Sequence, residues 1–99
     1  MARAYISWVP LGEGGRRRPP AGPVYSTIAY FEGDENWPKQ AWSVVLRFVR
    51  PLNGGQCLIA DVDFAVPEAP AALLGKGSRF ELLEGRHRVA KGVVWPGLC

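Results

Sequence analysis

Residues 58–64 read LIADVDF, with Leu58, Ala60, Val62 and Phe64 alternating against Asp61 and Asp63. A period of two, apolar against acidic, is the signature of a β-strand with one face buried and one in water. The same pattern recurs along the chain. Ala4, Ile6 and Trp8 oppose Arg3, Tyr5 and Ser7, which predicts a strand over residues 3–9. Trp42, Val44, Leu46 and Phe48 share a face of another strand, with Ser43 and Arg47 opposite, Val45 and Val49 as exceptions, and Pro51 as its stop. Residues 24–31 are rich in β-branched and aromatic side chains and form a further strand in which both faces are apolar. Its parity is read with Val24 and Ile28 inward, which puts Tyr25, Ala29 and Phe31 on an outer face.

Glycine and proline punctuate these runs. The chain has 12 glycines and 9 prolines in 99 residues, and they recur at the spacing of short strands joined by turns. Asn53-Gly54-Gly55 supplies residues that tolerate positive φ in a tight turn between the third and fourth strands. Residues 67–77 have room for one helical turn and no more, because two prolines and two glycines interrupt them. Residues 79–95, RFELLEGRHRVAKGVVW, close the chain as a hairpin turning at Gly85, with Phe80, Leu82, Val89 and Val93 sealing a barrel and Gly92 allowing close approach. Six strands without a long helix, in a single domain spanning residues 1–99, predict an all-β chain forming a small closed barrel or sandwich.

Composition narrows the class. Hydrophobic content of 47% and charged content of 21% are those of a globular chain. No run reaches the roughly 18 apolar residues of a membrane helix. No basic region followed by an apolar core opens the chain, and the protein is read as cytoplasmic. Cys57 and Cys99 lack the C-x-x-C spacing of a metal or redox motif and are expected as reduced thiols.

The closing hairpin carries a resemblance. Phe80, Leu82, Glu84-Gly85, Val89, Gly92 and Val93 resemble the last hairpin of the C-terminal β-barrel domain of translation elongation factor Tu, where F-x-I/L-x-E-G-x-x-x-V-G-x-G-x-V recurs. Near the N-terminus, the first strand runs into Glu13-Gly14-Gly15-Arg16, similar to the E-G-G-R loop of that domain, and a strand led by Pro23 follows. The chain departs from the family at Gly22, Arg86 and Ala90, where a basic residue and two glycines are usual. The resemblance implies a six-stranded Greek-key barrel standing free of its GTPase. Gly75-Lys76-Gly77-Ser78 lacks the spacing of a phosphate-binding P-loop. It also implies binding rather than catalysis, since in the family this domain touches the T-stem of aminoacyl-tRNA, a neighbouring barrel and the nucleotide-exchange factor.

The candidate chemistry points the same way. His87 stands between Arg86 and Arg88, two cations that disfavour the imidazolium a general base must become. Asp61 and Asp63 share a strand face, but hard cations want several more oxygen ligands. No enzyme activity, metal or cofactor is expected. Two binding surfaces are. Arg16, Arg17 and Arg18 in a glycine- and proline-rich loop, with Arg86 and Arg88 in the hairpin turn, form a candidate contact to an RNA or tRNA backbone. Four tryptophans are many for so small a core. Trp8 and Trp42 lie on core faces. Tyr25, Phe31, Trp37 and Trp95 are the candidate surface for a protein partner or homo-oligomer. Protein docking is the preferred function, RNA binding the alternative, and a small metal or hydrolytic enzyme a distant third.

Overall fold

The computed structural model describes residues 2–9, 23–35, 37, 39, 41–52 and 56–95. The expected strands form β1 (Ala2–Trp8), β2 (Val24–Phe31), β3 (Trp42–Leu52), β4 (Cys57–Phe64), β5 (Arg79–Glu84) and β6 (His87–Val94). All pairings are antiparallel, and the order β1-β4-β3-β2-β5-β6 closes through a β1–β6 ladder. Strands β2, β3 and β4 follow one another as neighbours while β1 lies beside β4, which is Greek-key connectivity. Closure gives every strand a neighbour on both sides along at least part of its length. Residues 71–74, within the segment given room for one helical turn, form a single 3-10 turn. Among the described residues no helix is long and apolar enough to cross a membrane.

Ala4, Ile6, Val44, Leu46, Ala60, Val62 and Leu82 are fully buried in the middle of the barrel. Aromatic rings fill the two ends. At one, Trp8 meets the rings of Tyr25 and Phe48 nearly edge-on at 6.0 and 6.2 Å. At the other, Phe31 lies 5.7 Å from Phe64 and 5.5 Å from Phe80, and Trp42 packs on Phe64 at 6.4 Å. These edge and tilted geometries let ring edges meet ring faces, which adds to the area each side chain buries.

Three local features depart from expectation. First, β2 has the opposite parity. Ala29 pairs with Leu82 and Phe31 with Phe80, so Tyr25, Thr27, Ala29 and Phe31 point inward with the β5 core residues. Val24 and Ile28 point outward and are 46% and 41% exposed. A strand apolar on both faces carries no parity of its own, and its neighbours impose one. Second, Pro51 does not stop β3, which continues to Leu52. Among the described residues β3 pairs only with β4 beyond Phe48, whose N–H donates to the Pro23 carbonyl, so Pro51 sits where they give one side of the strand no ladder. Third, Val94 rather than Val93 seals the closing hairpin. The pairing shifts after Leu82, with Leu82 opposite Ala90 and Leu83 opposite Arg88, so Val89 is an extra residue that still enters the core. From Ala90 on, alternation sends Gly92 and Val94 inward and Val93 out.

Gly85 and Gly92 act as expected. Glu84 pairs with His87 across a two-residue connection in which Gly85 takes φ 63°. Gly92 lies opposite Phe80, and a Cβ built on it would fall 2.3 Å from Phe80 Cζ.

Candidate protein-docking surface

Of the four candidate interface aromatics, two belong to the interior. Phe31 is 1% exposed and joins the aromatic layer at one barrel end. Tyr25 packs against the core beside Trp8, and its hydroxyl donates to a carboxylate oxygen of Glu84. Both corrections follow from the parity of β2. Trp37 is half-buried, its ring 5.3 Å from Tyr30 on the outside of β2, and its N–H donates to the Asp34 carbonyl at 3.4 Å. Trp95 is also half-buried, and its N–H donates to the Arg3 carbonyl at 2.7 Å. Trp37 lies beyond β2 against Tyr30, and Trp95 lies beside β1 at Arg3.

The candidate phosphate clamp is represented by its hairpin half. Arg16, Arg17 and Arg18 lie outside the described residues, as does Cys99. Arg86 is exposed in the β5–β6 turn, and Arg88 is exposed but donates to Glu81 at 2.8 Å. His87 is exposed at the start of β6. Asp61 and Asp63 both point outward, as the alternation requires. Asp61 is held by Arg3, whose Nε and Nη2 donate to its two oxygens at 3.0 and 3.4 Å. That hydrogen bond first, and the charge of Asp61 second, hold the Arg3 guanidinium above its ordinary pKa. Among the described residues no three His, Cys, Asp or Glu side chains gather to hold a metal ion. Cys57 is a free thiol 3.8 Å from the Ser7 hydroxyl.

What the structure assembles instead is an apolar outer face centred on β2. Val24 and Ile28 stand on it with Ser26 between them. Val45 of β3 lies opposite Ser26, and Leu83 of β5 lies opposite Ile28. Both flanking side chains are half-buried. Val49, at the irregular pairing of β3 with β4, is 46% exposed. The Ser26 hydroxyl on this face is spent internally, its Oγ donating to the Val44 carbonyl at 3.1 Å. The signal is present in the sequence as the apolar residues on both faces of β2, and the structure turns Val24 and Ile28, not Tyr25 and Phe31, outward. A shallow cleft of about 230 Å³ adjoins it at Tyr30, lined also by Glu32, Arg79, Phe80, Glu81, Lys91 and Gly92. Its cations and carboxylates balance, so it selects no charge.

No protein-family model matches this chain, and no curated protein matches it.

Proposed function

We propose that this chain is a non-enzymatic, cytoplasmic binding module that engages a protein partner through the outer face of β2. The observation that carries the reading is the exposure of Val24 and Ile28, 46% and 41%, beside Val45 and Leu83 on the adjoining strands. Apolar side chains standing together in water, with the Ser26 hydroxyl between them already satisfied, lose little and gain apolar burial when a partner covers them. Every strand of the barrel has a neighbour on both sides along part of its length, and the partner is proposed to dock on a face rather than to add a strand.

The module is proposed to be a barrel of the elongation factor Tu C-terminal kind. Support comes from the Greek-key order and from the Gly92–Phe80 contact at a family glycine. The fold leaves the role open, which is why the function is argued from the face. RNA is the competing class of partner. On the hairpin side its case is weakened by Arg88, which is already committed to Glu81.

The test is affinity capture with ribonuclease-treated lysate, comparing the wild-type protein with Ile28→Asp and with Arg86→Ala. The docking reading expects one defined protein that survives ribonuclease, is lost in Ile28→Asp and is kept in Arg86→Ala. Capture that disappears with ribonuclease, or that ignores Ile28→Asp, overturns it.

A further inference from the structure

We infer that the cleft beside β5 is a binding site for a neutral sugar, taken free or as one unit of a glycan. The inference does not depend on the docking reading above. The sheet register places its side chains. Tyr30 of β2 lies opposite Glu81 of β5, and Glu81 lies opposite Lys91 of β6, so the three form one row across the barrel. The N–H of Glu32 donates to the Arg79 carbonyl at 2.9 Å, which sets Glu32 beside Arg79 in the next row. All five line the cleft of about 230 Å³. Pockets for drug-sized ligands run to about 300–1,000 Å³, so this one suits a single small ring.

Three observations select the ligand. The first is unspent hydrogen-bonding capacity. Among the described residues no ion pair or hydrogen bond engages the side chains of Glu32, Arg79 or Lys91. Glu81 gives one oxygen to Arg88 at 2.8 Å and keeps the other. Carboxylates only accept and the two cations only donate, whereas a sugar hydroxyl does both and can use the two kinds together. The second is how the charges are interleaved. Arg79 stands beside Glu32 and Lys91 opposite Glu81, so each cation has a carboxylate as its direct neighbour. A phosphate or carboxylate ligand would meet a like charge at either one. The third is an aromatic wall. Tyr30 is half-buried, and its ring is braced by Trp37 at 5.3 Å and 58°. A pyranose carries C–H groups on its ring face and hydroxyls around its rim, and the C–H face suits the negative face of an aromatic ring.

The shape of the cleft sets the strength. Glu32, Arg79 and Lys91 are exposed, so the ligand is held from one side and keeps part of its hydration. Dissociation constants on the order of 1–10 mM are expected for one ring held in this way.

Amide chemical-shift titration with glucose, galactose and mannose tests it, with sorbitol, glucosamine and glucose 6-phosphate as comparisons. At least one of the three neutral sugars should bind in the millimolar range and shift the amides of Tyr30, Glu81 and Lys91. Sorbitol has the hydroxyls without the ring face and should bind about tenfold more weakly. Tyr30→Ala should weaken the sugar about tenfold, and Tyr30→Phe should recover most of that loss. Lys91→Ala, on an exposed position, should weaken it about three- to fivefold, as loss of one hydrogen bond does. Near-ultraviolet dichroism reports whether Tyr30→Ala is folded, and Lys91→Ala decides the matter if it is not. Methyl glycosides of the sugar that binds separate the sources: a glycan unit tolerates the methyl group and a free sugar loses affinity, and either result keeps the site. No shift from any of the three sugars at about 50 mM overturns the inference. So does sorbitol binding as well as the rings, or a sugar indifferent to both Tyr30→Ala and Lys91→Ala. Glucosamine or glucose 6-phosphate binding more than about tenfold tighter than the neutral sugars overturns it in favour of a charged ligand.

Discussion

Gly92→Ala is a one-methyl change whose sign depends on a single contact. Without that contact the substitution would help, because alanine in a strand costs less unfolded-state entropy than glycine, by about 0.4–1 kcal/mol. In this barrel the added Cβ would lie 2.3 Å from Phe80 Cζ, 2.5 Å from Cε2 and 2.9 Å from Cε1. Carbon atoms prefer separations of about 3.5–4.0 Å, so the ring must retreat by more than about 1 Å. It has little room, being 2% exposed and packed on Phe31 at 5.5 Å. Overpacking a core by one methyl typically costs about 1–3 kcal/mol, and a stiff ring with no free rotamer belongs at the upper end. The net expectation is a loss of about 2 kcal/mol, or roughly 10 °C in thermal midpoint for a domain of this size.

Urea unfolding measures it as a fall in midpoint at constant slope. The cause is isolated by repeating the substitution in a Phe80→Leu background. Leucine lacks the Cζ and Cε atoms that collide, so there Gly92→Ala should become neutral or stabilising by up to about 1 kcal/mol. The two changes should therefore couple by about 2 kcal/mol or more, well beyond the additivity of distant sites. A Gly92→Ala variant as stable as the wild type, or a double variant whose losses simply add, would refute the close-approach explanation.

The parity of β2 is tested by Phe31→Ala, which should cost about 3–5 kcal/mol if Phe31 is core, against less than about 0.5 kcal/mol on a solvent face, read by the urea midpoint. Tyr25→Phe keeps the ring against Trp8 but removes the donor to Glu84, and calorimetry should show a loss of about 1–2 kcal/mol. Gly85→Ala forces a side chain into φ 63° and should lower stability by about 1–2 kcal/mol, with the hairpin amides of β5 and β6 exchanging faster.

Strand existence was legible because it depends on local signals. Alternation at residues 58–64 and the breakers around each run predicted β4 to within one residue, and the β5–β6 hairpin was readable from Glu84-Gly85. Facing was legible only where one side of a strand is polar. In β4 the acids at Asp61 and Asp63 allow one orientation, whereas β2 offers Val24, Ile28 and Tyr30 on one side and Tyr25, Ala29 and Phe31 on the other. The sum of apolar area barely distinguishes them. What decides is a partner about fifty residues away in sequence, the inward Phe80–Leu82 row of β5, which local patterning does not encode. The bulge at Val89 hides for the same reason, since it shifts the parity of β6 without changing composition.

The ambiguity of β2 also bears on the candidate site. A strand that is apolar on both faces in a barrel that buries only one must leave the other apolar face outside. Avoiding an exposed patch would need polar residues at Val24 and Ile28, as β4 has at Asp61 and Asp63 on its own outer side. The property that leaves the facing of β2 open in the sequence is thus the property that leaves an apolar outer face, on which the docking proposal rests. A sequence with polar residues at those two positions would show its facing by alternation alone and would present no apolar face to dock.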